Sequence, residues 1–277
     1  MYDRTTYRQQ GTFYELPPDA APRRRRHRRK RRSVWPRLLL VAIVGLLLWR
    51  GLPVLGDQLA RLELRAQEPE RFSELPENLQ ALWEKNEDAR GFVEDYWEKK
   101  DQTFSVDLSE YAGSGTVPLL MQWDERWGYN TYSGDLMGLT GCGPTCLAMA
   151  AIYLTGDTSL DPYTVAQFAE TNGYAVPGSG TAWALMTDGA ETLGLTAREL
   201  PLDENSMVTA LEGGELVICV MGPGDFTDSG HFIVLTGCQD GAFTVNDPNS
   251  YARSERTWTF DDLQYQVKNL WALGAPA

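Results

Sequence analysis

Between Cys142 and Asn246 the hydrophobic pattern changes its period once, and that switch limits the chain to one class of fold. Cys142–Thr155 is apolar and long enough for a buried helix, with Pro144 in its first turn and Gly156 as its stop. Residues 163–170 and 182–193 follow as further helices, and 207–211 as a shorter one. Then come strand-like runs at Leu216–Met221, 232–236 and Ala242–Asn246, with Gly- and Asp-rich turns between them and 257–260 as a further candidate. Helices first and antiparallel strands afterwards predict an α+β domain. If the first two runs form a hairpin around loop 222–230, Cys219 faces a residue near Ile233 rather than Cys238. Both are then expected as small buried hydrophobes, not as a disulfide.

The front of the chain is of another kind. Residues 1–37 hold twelve Lys/Arg against three Asp/Glu, or +9, in a chain of formal charge -13, so the remainder carries -22. Residues 1–33 read as a disordered basic tail, ending in nine Arg/Lys interrupted only by His27. Residues 38–49 are uninterruptedly apolar, and the wider segment 34–55 makes a helix of about 33 Å, enough to span a bilayer. Trp35 and Trp49 suit its interfaces, and Arg37 and Arg50 can snorkel to the two surfaces. No small-residue cleavage site follows closely, so 34–55 is expected to be an uncleaved signal anchor. The basic flank then puts the N-terminus in the cytoplasm and the rest outside the cell, as a single-pass protein of the cell membrane.

Residues 56–116 read as a helical stalk or extension. Within it Glu77–Lys85 and 89–99 carry Leu79, Leu82, Trp83, Phe92, Val93, Tyr96 and Trp97 at helical spacing, a packing stripe rather than a binding face. Gly113-Ser114-Gly115 forms a joint before the main domain, 117–277. The acidity of everything beyond the anchor excludes electrostatic capture of nucleic acid, and repels anionic polymers and headgroups.

Beyond the basic tail the chain has one histidine, His231. Upstream lies Gly141-Cys142-Gly143-Pro144-Thr145 and downstream Val245-Asn246-Asp247-Pro248-Asn249. With Pro144 at the first helical position, Gly143 falls near the N-cap and Cys142 at the helix mouth, where the macrodipole favours a thiolate. The two glycines keep side chains away from an approaching carbonyl, and the Cys142 N–H is available to an oxyanion. Cys146, one turn further in, is expected to be a packing residue. A zinc reading of the Cys142/Cys146 spacing fails for want of further ligands, so no metal and no cofactor are expected. His231 opens a buried strand from a Gly-rich loop and can act as general base. Asp247, one hairpin later, can return beside the imidazole and orient it, with Asn246 and Asn249 as neighbours able to serve instead. Gln122, twenty residues before the thiol, offers a side-chain amide as second oxyanion donor.

Taken together, residues 117–128 (Val-Pro-Leu-Leu-Met-Gln-Trp-Asp-Glu-Arg-Trp-Gly), Gly141-Cys142-Gly143-Pro144-Thr145, Gly230-His231-Phe232-Ile233-Val234 and Asn246-Asp247-Pro248 resemble the C39-like cysteine peptidase domain of bacteria, over about 117–265. The resemblance implies a papain-like fold, with Cys142 as nucleophile, His231 as general base, Asp247 as its orienter and Gln122 as oxyanion residue. Residues 75–96 resemble the helical extension that precedes this domain in membrane-anchored members from Gram-positive bacteria. Transporter-fused members trim double-glycine leader peptides in the cytoplasm. A catalytic domain outside the cell does not inherit that substrate. The expectation is therefore a membrane-anchored extracytoplasmic cysteine hydrolase acting on a peptide or protein. Two other functions stay open on the residues alone: a non-catalytic papain-like module binding peptides at the cell envelope, and an acyl transferase or transpeptidase on the same dyad.

Overall fold

The computed structural model describes residues 72–276, all within one compact unit, Glu68–Ala277. The expected basic tail (1–33), the signal anchor (34–55) and the first part of the expected stalk (56–71) lie outside the described residues. Among those described, no helix is long and apolar enough to cross a membrane.

The centre is a six-stranded antiparallel sheet of β5 (Thr196–Glu199), β6 (Leu216–Met221), β7 (His231–Gln239), β8 (Ala242–Asn246), β9 (Thr257–Thr259) and β10 (Val267–Gly274), in the order β5-β10-β6-β7-β8-β9. Two short hairpins precede it, β1 (Thr131–Tyr132) with β2 (Asp135–Leu136) and β3 (Ala175–Val176) with β4 (Gly180–Thr181). β6 reads as an unbroken apolar run because both faces of the sheet are covered. Leu216, Ile218 and Val220 enter one core, while Val217, Cys219 and Met221 enter the other. β7 divides likewise, with Phe232 and Val234 on the first side and Ile233 and Leu235 on the second. Cys219 lies opposite Ile233, as the hairpin reading requires, and all four cysteines are free. β7 and β8 are joined through Asp240 (φ 52°) and Gly241 (φ 77°), two left-handed residues that close a two-residue turn whose twist matches the strands.

In chain order the helices are α1 (Glu77–Lys85), α2 (Arg90–Glu94), α3 (Tyr96–Lys99), α4 (Met137–Thr140), α5 (Cys142–Thr155), α6 (Pro162–Thr171), α7 (Asp188–Thr192), α8 (Glu204–Glu212), α9 (Tyr251–Glu255) and α10 (Phe260–Leu263). α5 is apolar all round and buried from Gly143 to Ile152, and it stops at Gly156 in the left-handed conformation (φ 75°). It packs with α6 on the first sheet face, and α8 covers the second. Asp161 caps α6 through the Tyr163 and Thr164 amides. Two sequence expectations need correction. The helix expected over 182–193 breaks at Thr187 (φ -117°, ψ -90°) into a 3-10 turn, Trp183–Met186, and α7. β10, which the hydrophobic pattern did not single out, is an inner strand of the sheet between β5 and β6.

The described part of the extension packs within the same compact unit as the residues that follow it. Leu79, Trp83 and Phe92 are buried. Phe92 stacks on Tyr129 with ring centroids 4.3 Å apart, and its backbone carbonyl accepts from the Tyr129 hydroxyl at 2.7 Å. A Cβ placed on Gly128 or Gly138 would lie 2.8 or 2.6 Å from that phenyl ring, so the two glycines form the notch that receives it. Asn86 Nδ2 donates to both the carbonyl and Oδ1 of Asn249, at 2.8 and 2.9 Å, and Asp88 accepts the Tyr251 amide at 2.9 Å. Phe92→Ala should therefore cost about 3–5 kcal/mol of stability, measured as a shift in the denaturant midpoint of the whole compact unit; a free stalk would leave that midpoint unmoved.

Candidate active site

Cys142 stands at the start of α5, but two places further in than the sequence suggests. Gly141 is the N-cap, so Cys142, Gly143 and Pro144 are the first three helical residues. Pro144 is harmless there because first-turn amides have no partner within the helix. The glycines serve close packing rather than substrate entry. A Cβ at Gly143 would fall 2.6 Å from the Thr181 hydroxyl oxygen, and one at Gly141 would fall 2.6 Å from the Met137 carbonyl. Thr181 is itself fixed by a 2.8 Å hydrogen bond with the Tyr132 hydroxyl. The helix end that carries the thiol is thus wedged between β4 and α4.

His231 opens β7 opposite Met221, and Asp247 follows directly after β8. The hairpin brings them to the same end of the sheet, where His231 Nε2 and Asp247 Oδ1 lie 2.7 Å apart. The other side of the ring hydrogen-bonds the Cys142 thiol. With Nε2 committed to Asp247, that contact falls to Nδ1. Asp247 is wholly buried, and its Oδ1 also accepts the Asn249 amide at 2.8 Å. Of the two neighbours, Asn246 is occupied elsewhere, donating to the Pro118 carbonyl at 2.9 Å, and Asn249 supports Asp247 rather than replacing it.

Electrostatics follow from this line of groups. Burial works against ionising Cys142. The hydrogen bond to His231, its charge, and the Phe232 and Gly143 amides outweigh burial and hold the thiol below its ordinary value. Burial likewise works against imidazolium, but Asp247 and the thiolate push His231 up to about 10. Asp247 stays ionised despite its burial because His231 and Arg253 both face it. Arg253, six residues on in α9, donates Nε to Asp247 Oδ2 at 2.5 Å, a contact that no sequence pattern announces. The other thiols differ. Cys146 and Cys219 are fully buried with pKa values raised by burial, to about 12 for Cys219, and Cys238 is half-buried and also raised.

Gln122 is buried between the two halves of the site. Its amide N–H donates to the Pro248 carbonyl at 2.8 Å, and its side-chain Nε2 to the Gly138 carbonyl at 2.9 Å, four residues before the thiol. Because Gly138 offers only an acceptor, the amide orientation is fixed. The second Nε2 hydrogen is left over, and Oε1 is buried with no protein partner among the described residues. Cys142 and His231 open into a cleft of about 790 Å³ whose walls include Thr181, Trp183, Ser229 and Lys268. Trp183, exposed on that wall, is a second contributor that the helical reading of 182–193 concealed. Leu139 and Ser229 also line a neighbouring cleft of about 700 Å³ between α1 and loop 222–230. Among the described residues no group of three His, Cys, Asp or Glu could hold a metal ion.

Residues 115–273 match the sequence model of the Peptidase_C39 like family. None of the curated proteins matches the chain. Among solved structures, the peptidase domain of Streptococcus ComA, a bi-functional ABC transporter involved in a quorum sensing pathway, is 21% identical, with 50% of this chain and 93% of that one covered and a TM-score of 0.36. A C39-like peptidase from Bacillus anthracis is 16% identical, with 59% and 97% covered and a TM-score of 0.37. The family match over 115–273 is what carries the assignment.

Proposed function

The chain belongs to the peptidase C39-like family, and on that footing we propose a cysteine peptidase that hydrolyses a peptide or amide bond at Cys142, held outside the cell by one membrane helix over residues 34–55. One observation carries the chemistry: an unbroken line from the Cys142 thiol through His231 to the buried carboxylate of Asp247, opening into a cleft large enough for several residues of an extended peptide.

In this reading the Cys142 thiolate attacks the scissile carbonyl carbon, and the carbonyl electron pair moves onto oxygen. The free Nε2 hydrogen of Gln122 and the Cys142 amide stabilise that oxyanion. Imidazolium His231 gives its proton to the leaving amine as the C–N bond breaks, leaving a thioester on Sγ. A water molecule, losing its proton to the now neutral His231, cleaves the thioester and restores the ion pair. The substrate is a polypeptide, and the -22 carried by residues 38–277 favours cationic or neutral sequences over anionic ones.

Digestion of a peptide library by the full-length chain tests this. Cleavage that disappears in the Cys142→Ala variant supports it, and intact peptides with the wild type overturn it. Release of amine-capped products when a primary amine is added would mark the chemistry as acyl transfer instead of hydrolysis. Gln122→Ala should lower kcat by about 10²–10³ with little change in KM; an unchanged kcat removes Gln122 from the oxyanion site.

A further inference from the structure

Asp247 is hydrogen-bonded at both oxygens inside the protein. Oδ1 takes the His231 imidazole and the Asn249 amide, and Oδ2 takes the Arg253 guanidinium. Arg253 is held at both ends of its residue. Its amide donates to the α9 cap Ser250 at 3.3 Å, its carbonyl accepts from Trp258 Nε1 at 3.0 Å, and its guanidinium lies 6.0 Å from the centre of the Phe226 ring. The side chain is therefore placed, not merely attracted.

The reaction cycle gives this placement a purpose. Each time His231 gives up its proton, a carboxylate with no solvent exposure loses its cationic neighbour on Oδ1. A bare buried charge is costly, and the imidazole would hold its proton too tightly to pass it on. We propose that Arg253 is a positioning residue of the catalytic centre: by holding Oδ2 it divides the Asp247 charge between two cations, so that His231 can cycle between imidazolium and imidazole. This rests on the roles given above to Cys142, His231 and Asp247.

The other charged and titratable groups around the line are Cys142 and Tyr132 on the thiol side, Asp135 and Lys268 on the cleft into which Cys142 and His231 open, Cys146 beside Asp247, and Glu87, Asp88, Asp225 and Asp228 along the cleft that Arg253 lines. Lys85, also on that cleft, is paired with Asp228. Besides His231, Arg253 is the cation that acts on Asp247.

The test is the pH profile of Cys142 alkylation by iodoacetate in the full-length chain, followed by mass; the reagent's negative charge makes its rate fall when the imidazolium loses its proton, and that fall is read as the alkaline limb. In Arg253→Gln the whole carboxylate charge falls on His231, so the ion-pair window should widen, its alkaline limb rising by about one pH unit. A purely structural ion pair predicts the opposite sign, because a released Asp247 would slacken its grip on the ring and narrow the window. A narrowed or unchanged window overturns the proposal. Arg253→Lys keeps the charge and should retain the wild-type limb, which guards against a Gln variant that does not fold; a limb displaced in the Lys variant also overturns it. If the wild type itself shows no thiolate at acidic pH, the reading of the site fails and the proposal with it. If only the variants fail to behave as stated, the site stands and the proposal alone falls.

Discussion

Cys142→Ala should keep its fold and lose turnover by on the order of 10⁶, the scale on which a hydrolase suffers when its nucleophile is removed. The fold should survive because the thiol sits at a helix end facing a cleft, where a smaller side chain leaves no sealed void. Cys146→Ala is the control. That sulfur lies in the core, fully buried, with its pKa pushed well up by the lack of solvent. Its loss should cost about 1–2 kcal/mol of stability and leave kcat within a few fold. Steady-state rates and denaturant midpoints of the two variants, measured side by side, settle which thiol reacts. Turnover that survives loss of Cys142 and vanishes with Cys146 would reverse the assignment.

Asp247→Asn should lower kcat by about 10⁴, as seen where the group that orients a catalytic histidine becomes an amide. The amide cannot hold the ring as a carboxylate does, and it turns a donor toward Arg253 or His231, both of which are donors at this site. The pH dependence carries a sign. In the wild type the competent ion pair exists from the lowered pKa of Cys142 up to that of His231, about 10. The carboxylate supplies much of that elevation, so in Asp247→Asn the alkaline limb should move down toward the ordinary imidazole value. An alkaline limb that stays near 10 would show that Asp247 does not act on His231. Arg253→Gln is expected to move the same limb upward, so the two substitutions bracket the wild type from opposite sides.

The parts of the fold that could be read from the chain were those whose side chains report a single period. β6 and β8 keep their expected bounds because burial dictates every residue of the first and alternate residues of the second. The Asp240-Gly241 turn fixes their neighbour β7. β10 escaped notice because Lys268 and Asn269 interrupt it where the ladder itself shifts register. β5 is an edge strand with little buried side chain, so its sequence carries almost no apolar signal. Of the stripe expected in the extension, Leu79, Trp83, Phe92 and Val93 are buried and Trp97 is exposed; what receives Phe92 is a pair of glycines, Gly128 and Gly138, and an absent side chain advertises nothing.

Of the candidate site, Cys142, His231 and Asp247 meet as one hydrogen-bonded line, and Gln122 lies between the Asp247 turn and the approach to Cys142. The lone histidine of the domain made that grouping legible, since no other imidazole could compete. Arg253 was invisible for the reverse reason. Arg253 lies within the short helix α9 and Arg256 at its C-terminal end, and only the turn after Asp247 decides which guanidinium folds back. The helix start was misplaced by two residues because Pro144 suits the third helical position as well as the first.

The central claim, that Cys142 is a thiolate because His231 is its partner, is tested most directly by alkylating the full-length chain with iodoacetamide at pH 6 and counting label at Cys142 by mass. The wild type should react there as a thiolate, and His231→Ala should be slower by roughly 10², since an unassisted thiol with a pKa near 8.5 is almost wholly protonated at that pH. Equal rates in the two proteins, or label appearing on Cys238 before Cys142, would contradict the account.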